Sequence, residues 1–173
     1  AKFIRGVGFQ WGGKGAIPKV NEKYSDYKLM QTESECGDGS NDWHAAEHTF
    51  DLIQHYLENG ANSYLYWNMV LDETGLSAWG WKQNSLISVH SETKQISYHP
   101  EFYLMKHLSA FVDPGAVKLA SPDNNCLVFK NSDSVVIVVH QPGSDAEISF
   151  KIGDQMFNAQ LKADSFNTIK IAL

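Results

Sequence analysis

The first two thirds of the chain contain short apolar runs and segments with helical periodicity. Runs over residues 3–10 and 28–33 predict two strands, and residues 62–70, which are nearly continuous in large side chains, predict a strand buried on both faces. Apolar positions recur every 3.6 residues over 43–58, which predicts a helix. This order predicts a βαβ unit with parallel strands and a right-handed crossover.

Turn-forming residues separate these elements. Glycines between residues 12 and 15, followed by Pro18, predict an irregular segment after the first strand. Asn41 or Asp42 is expected to cap the helix. After a long loop over residues 71–85, the remaining predicted elements of this part are a strand pair within 86–98 and a helix over 101–111.

The last third of the chain has a different pattern, in which helical periodicity gives way to short strands separated by turn signals. These strands are predicted at residues 116–120, 126–131, 134–140, 146–151, 155–161 and 166–172. Such spacing is typical of an all-β module of the sandwich type. We therefore predict an α/β domain over residues 1–113 and a β-sandwich domain over 114–173.

Composition narrows the possible partners. Hydrophobic residues make up 43% of the 173, which is enough for a core, and the formal net charge of −6 argues against nucleic acid as a partner. No apolar run approaches the length of a transmembrane segment. Two cysteines, Cys36 and Cys126, are too few for a disulfide framework.

Aromatic residues make up 12% of the chain and include five tryptophans: Trp11, Trp43, Trp67, Trp79 and Trp81. Sugars stack their C–H faces on aromatic rings, so tryptophans beside carboxylates suit a carbohydrate site. Tryptophan and tyrosine also fill cores, and composition alone favours that use.

Polar side chains stand where the predicted parallel strands end, which is where active groups lie in parallel α/β structures. The segments are Gln10-Trp11, Glu33 to Glu35, and Trp67-Asn68. Glycoside cleavage needs a carboxylate against an oxocarbenium-like carbon and a second carboxyl that protonates the leaving oxygen. Glu33 and Glu35 lie roughly 6–7 Å apart on one strand face. They would approach the sugar from one side, however, and the alternative is one glutamate bound to a loop amide and one solvated.

Three runs resemble glycoside hydrolase family 30, which includes glucosylceramidases and endo-β-1,6-glucanases. They are Leu29–Gly37 (LMQTESECG), Tyr64–Val70 (YLYWNMV) and Tyr98–Ala116 (YHPEFYLMKHLSAFVDPGA). The resemblance implies the last three strand units of a (β/α)8 barrel followed by the family's β-sandwich side domain. It implies a carbohydrate or glycolipid substrate and is consistent with a secreted or periplasmic location.

The resemblance also implies roles for individual residues. Glu33, within Thr-Glu-Ser, matches the nucleophile at the end of the seventh barrel strand. The implied sugar-contacting residues are Gln10, Trp11 and Trp67, with Asn68 as a further candidate and Glu35 as an auxiliary or structural residue.

One family feature has no counterpart in these residues. The general acid/base is a Glu after an Asn at the end of the fourth strand, whereas Asn21-Glu22 falls in a loop after the sixth. The first five strand units would have to come from the same parent chain or from another chain. Three strands do not close a barrel.

Weaker signals carry competing interpretations. His44 and His48 stand four apart on the helix, a spacing that can bind zinc, but a solvated helix face explains it as well. Trp79 and Trp81 either stack on substrate or pack within their loop. We expect no metal and no cofactor. The hypotheses are a retaining β-glycosidase with Glu33 as nucleophile and, alternatively, a non-catalytic carbohydrate-binding or structural fragment.

Overall fold

The computed structural model describes residues 3–173, which divide into two compact units. The first unit runs to Tyr103 and the second covers Leu104–Leu173. The division between residues 103 and 104 falls within the helix over Pro100–Ser109. The domain boundary predicted between residues 113 and 114 follows that helix and stays a prediction.

The first unit is built on a parallel sheet with the strand order β1-β2-β3. The strands are β1 (Gly6–Gln10), β2 (Lys28–Glu33) and β3 (Ala61–Tyr64). The α/β prediction for this part is confirmed by these parallel pairings. In the register of β1 and β2, Gln10 lies opposite Glu33, so their carboxyl ends meet at one edge of the sheet.

Helices connect these strands. A 3-10 helix over Trp11–Ala16 and helix α1 (Ile17–Lys23) follow β1, so the prediction of an irregular segment there was wrong. Proline is tolerated in a first helical turn because the amide hydrogen it lacks has no partner there, and the fully buried Ile17 anchors α1 in the core. Helix α2 (Trp43–Glu58) has its predicted bounds, and the carboxylate of Asp42 accepts a hydrogen bond from the amide of Ala45.

The core of this unit lies between the sheet and the helices. Its buried members come from strands and helices alike: Phe9, Ile17, Leu29, Tyr56 and Ala61. Burial on this side fixes the orientation of β1 and β2 and leaves their last residues at the open edge.

The strand predicted over residues 62–70 is shorter in the structure. Strand β3 ends at Tyr64, and a separate small sheet follows, with strand order β4-β5-β6. Its strands are β4 (Val70–Asp72), β5 (Ile87–Val89) and β6 (Ile96–Tyr98), of which β5 and β6 form the predicted antiparallel pair. Helix α3 (Pro100–Ser109) follows.

The second unit contains six strands after the end of α3, as the spacing of turn signals predicted. They are β7 (Val117–Leu119), β8 (Cys126–Lys130), β9 (Ser134–Gln141), β10 (Ala146–Ile152), β11 (Gln155–Leu161) and β12 (Ser165–Ala172). One antiparallel sheet has the order β12-β9-β8-β7, and β10 and β11 form a hairpin.

The sheet and the hairpin of the second unit share one apolar core. Buried residues of β9 and β11 form its centre, with partly buried Ile148, Phe150 and Ile152 of β10 packed against them. Within residues 3–173, no helix has the length and apolar character needed to cross a membrane.

Candidate active site

The carboxyl edge of the parallel sheet carries a paired amide and carboxylate. Gln10 is the last residue of β1, and its Nε2 donates a hydrogen bond of 2.8 Å to Oε2 of Glu33, the last residue of β2. The strand register places the two side chains opposite each other. Across residues 3–173, Glu33 is in no ion pair, so its carboxylate is oriented by a neutral donor.

Glu33 lines a cleft of about 910 Å³ whose walls are rich in indole rings. The tryptophans in this wall are Trp11, Trp67, Trp79 and Trp81. Trp67 is 43% exposed and Trp11 57%, so their ring faces remain open to a ligand. The structure therefore brings together residues that the sequence placed at the ends of three strands and in one later loop.

Glu35 has a different environment from Glu33, although it lines the same cleft. Its Oε1 is paired with Nζ of Lys14, and its Oε2 lies 2.8 Å from Nε2 of His48. Partial burial alone would raise the pKa of Glu35, but hydrogen bonds and charge from Lys14 and His48 outweigh it and hold that pKa below its ordinary value. Both of its oxygens are thus occupied, which separates its chemistry from that of Glu33.

Side chains of β2 position the segment that carries Trp67. Gln31 is fully buried, and its Oε1 accepts a hydrogen bond of 2.8 Å from the amide of Leu65. Ser34, also buried, accepts one of 2.8 Å from the amide of Trp67 through Oγ. The Leu65 amide also donates to the backbone carbonyl of Gln31 at 3.2 Å, so these contacts fix the backbone between β3 and Trp67, which lines the cleft with Glu33.

Asn68 is oriented toward the loop that closes the site, not toward Glu33. Its Nδ2 donates to Oε1 of Gln83 at 3.2 Å and to the carbonyl of Asn84 at 3.3 Å. The Trp67–Asn68 peptide bond is cis. The substrate-binding role assigned to Asn68 from the resemblance stays a prediction.

Trp79 and Trp81 form a stacked pair at the cleft, with ring centroids 5.3 Å apart and planes 11° from parallel. Their loop is closed by backbone hydrogen bonds, including Ser77 N to Trp81 O at 2.9 Å and Gly80 N to Ser77 O at 3.0 Å. Trp79 is 76% exposed. The two interpretations, packing within the loop and stacking on a ligand, are compatible in this geometry, because the rings contact each other and leave outer faces free.

The sequence did not identify several residues of this site. Ser34, Gln83 and Asn84 were not singled out. Glu101 was also missed, because a glutamate in the first turn of a predicted helix gives no signal of burial. His48 contacts Glu35, and within residues 3–173 no group of three His, Cys, Asp or Glu side chains is placed to hold a metal ion.

Solved structures similar to this chain share its fold. The crystal structure of SrfJ from Salmonella typhimurium superposes with a TM-score of 0.84 at 21% identity, over 98% of this chain and 41% of that one. A GH39 beta-xylosidase from Caulobacter crescentus superposes with a TM-score of 0.56 at 14% identity, over 83% of this chain and 34% of that one.

Curated relatives bear the name that the sequence resemblance suggested. Putative glucosylceramidase 4 of Caenorhabditis elegans is 28% identical over 80% of this chain and 30% of its own length. Putative glucosylceramidase 2 of the same organism is 27% identical over 90% of this chain and 34% of its own length. No family model matches the chain. The resemblance to family 30 glucosylceramidases is confirmed, and the chain spans about a third of the length of these relatives.

Proposed function

We propose that this chain is the C-terminal portion of a retaining β-glycosidase, in which Glu33 is the nucleophile. The substrate class is a β-glucoside of the glucosylceramide or β-glucan type, in line with the names of the curated relatives. In this proposal residues 1–113 are the sixth to eighth strand units of a (β/α)8 barrel and residues 114–173 its β-sandwich side domain.

One observation carries the proposal: the Glu33 carboxylate lines an indole-walled cleft and is oriented by Gln10 without an ion pair within residues 3–173. A nucleophilic carboxylate has to approach the anomeric carbon with an oxygen whose lone pair is free. Gln10 occupies Oε2, which leaves Oε1 available for attack. The indole faces support the sugar ring as positive charge develops on it.

The chemistry assigned to Glu33 is the first half of a double displacement. Its oxygen bonds to the anomeric carbon as the glycosidic bond breaks, and the leaving oxygen takes a proton from a general acid. Water then cleaves the glycosyl ester. The general acid is expected in the remaining part of the barrel, and its absence costs about 10²–10⁴-fold in rate.

A probe with a leaving group that needs no proton tests the nucleophile directly. We expect 2-deoxy-2-fluoro-β-glucosyl fluoride to label Glu33 in this chain combined with the remaining barrel part, with loss of fluoride and retention of one glycosyl group. Peptide mass spectrometry locates the label. Glu33→Gln should abolish it, and Glu35→Gln, the matched control, should keep it. A label on any other residue overturns the assignment.

A specific observation also keeps the binding alternative open. The stacked Trp79 and Trp81 are exposed enough to hold a sugar without any chemistry at Glu33. Calorimetry with gluco-oligosaccharides, together with product analysis, separates a binding fragment from a glycosidase. A binding fragment retains affinity in Glu33→Gln and yields no cleavage products when the remaining barrel part is supplied, whereas the glycosidase yields products in the unmutated form.

A further inference from the structure

Glu101 is a buried carboxyl group that the proposed chemistry does not use. It lies in the first turn of α3 and is only 2% exposed. Its Oε1 accepts hydrogen bonds from Oη of Tyr66 at 2.7 Å and from Nδ2 of Asn84 at 3.1 Å. Its Oε2 is buried without a hydrogen-bond partner among residues 3–173. A group this costly to bury calls for an explanation.

Burial also raises the pKa values of two groups in this network. It raises the pKa of Glu101, and the hydrogen bonds from Tyr66 and Asn84, which act in the opposite direction, only partly offset it. The pKa of Tyr66 is raised as well, first by burial and then by Glu101. Tyr66 therefore stays a hydrogen-bond donor to Glu101 across the ordinary pH range.

Asn84 connects Glu101 to both segments of the candidate site. The Nδ2 group of Asn84 donates to Glu101, so its Oδ1 atom faces the other way. There Oδ1 accepts a hydrogen bond of 2.7 Å from the amide of Gly39. The backbone amide of Asn84 donates to the carbonyl of Cys36 at 2.7 Å, and its carbonyl accepts from Asn68. Asn84 thus links the loop after Glu35, through its side chain and its backbone amide, to the residue after Trp67, through its backbone carbonyl.

Close packing against Asn84 requires glycine at position 37. A Cβ added to Gly37, whose φ is +67°, would come within 2.5 Å of the Asn84 side chain. On the other side of Trp67, the preceding residue Tyr66 is held by its own hydrogen bond to Glu101. Glu101 therefore reaches Trp67 from both directions, through Tyr66 and through Asn84.

We infer that Glu101 is a positioning residue, which holds Trp67 and the loop after Glu35 in a fixed relation by accepting hydrogen bonds from Tyr66 and Asn84. Its bearing on sugar binding rests on the proposed function. The positioning itself is a property of the folded chain and can be measured without any sugar.

Amide hydrogen exchange by NMR tests this inference. In Glu101→Leu we expect the amides of Gly39 and Trp67 to exchange about tenfold faster, because Tyr66 and Asn84 lose the acceptor that orients them. The amide of Leu29 in β2 should change less than about twofold, which a general loss of stability would not allow. Glu101→Gln keeps an acceptor for both donors, so it should restore the wild-type rates. Glu92→Leu, an exposed glutamate in a turn, is the matched control.

Two results overturn the inference. One is a folded Glu101→Leu variant with wild-type exchange at Gly39 and Trp67. The other is equal acceleration at Leu29, which makes Glu101 a core residue without a positioning role. If Glu101→Leu does not fold, Tyr66→Phe removes one donor only. Tyr66→Phe should accelerate hydrogen exchange at the Trp67 amide and leave exchange at the Gly39 amide unchanged. A variant without this selective change at Trp67 also refutes the inference. Failure of glycosyl labelling at Glu33 leaves these exchange results intact.

Discussion

Replacing Glu35 by glutamine removes the charge of one carboxylate that contacts two basic side chains. Lys14 pairs with one oxygen and His48 with the other, and the side chain of Glu35 is 29% exposed. Glutamine has nearly the same shape and keeps one hydrogen-bond acceptor. The substitution therefore tests the electrostatic part of this cluster and leaves the walls of the cleft in place.

The expected loss of stability is small. Exposed pairs of this kind are worth about 0.2–1 kcal/mol each. The side chains of Lys14 and His48 are 46% and 50% exposed, so solvent screens both interactions. Two such pairs give about 1 kcal/mol in total at neutral pH.

The pH dependence has a definite sign. The pKa of Glu35 is lowered in the folded state, so its ion pairs stabilise the fold above the ordinary carboxyl value of 4.5. That contribution disappears as the pH falls through the lowered folded value. The difference between wild type and Glu35→Gln should therefore be present at pH 7, where the Lys14 pair carries it, and vanish in strong acid.

Urea unfolding at several pH values measures this difference as a shift in midpoint. Glu22→Gln, an exposed glutamate of α1, is the control and should shift the midpoint little at any pH. A Glu35→Gln variant that is as stable as wild type at pH 7, or whose deficit persists in strong acid, would refute the ion-pair explanation.

Three further predictions concern stability. Leu127→Ala, at a fully buried position of β8, should cost about 2–5 kcal/mol in urea unfolding, against less than about 0.5 for the exposed Val117→Ala. Asp42→Ala removes the side-chain cap of α2 and should cost about 1 kcal/mol, measured by circular dichroism during unfolding. Ser34→Ala leaves the part-buried backbone amide of Trp67 without its acceptor and should cost about 1 kcal/mol, and a neutral effect by chemical denaturation would exclude that contact.

Helices and strands were predictable where the spacing of apolar residues along the sequence matches the face that is buried. Helix α2 has the predicted bounds because its apolar spacing is the spacing of the face it buries. Strand β2 also has its predicted bounds, ending at Glu33. These two elements suffice to place the carboxylate at the edge of the sheet.

Other features depend on contacts between distant residues and gave no local signal. The run over residues 62–70 reads as one strand, but β3 ends at Tyr64, and the amides of Leu65 and Trp67 beyond it bond to the side chains of Gln31 and Ser34. The glycines after β1 predicted an irregular segment, although helical turns form there and the buried Ile17 anchors α1. Glu101 joins the site only through Tyr66 and Asn84, which no spacing rule connects.

The distribution of indole side chains gives the protein a built-in optical reporter. Of its five tryptophans, four line the cleft and only Trp43 lies elsewhere, in the first turn of α2. Intrinsic fluorescence will thus arise mainly from the cleft wall, with a single background emitter. Quenching or a spectral shift on titration of a saccharide follows occupancy without a label, and each tryptophan-to-phenylalanine variant assigns its share of the signal to one part of the wall.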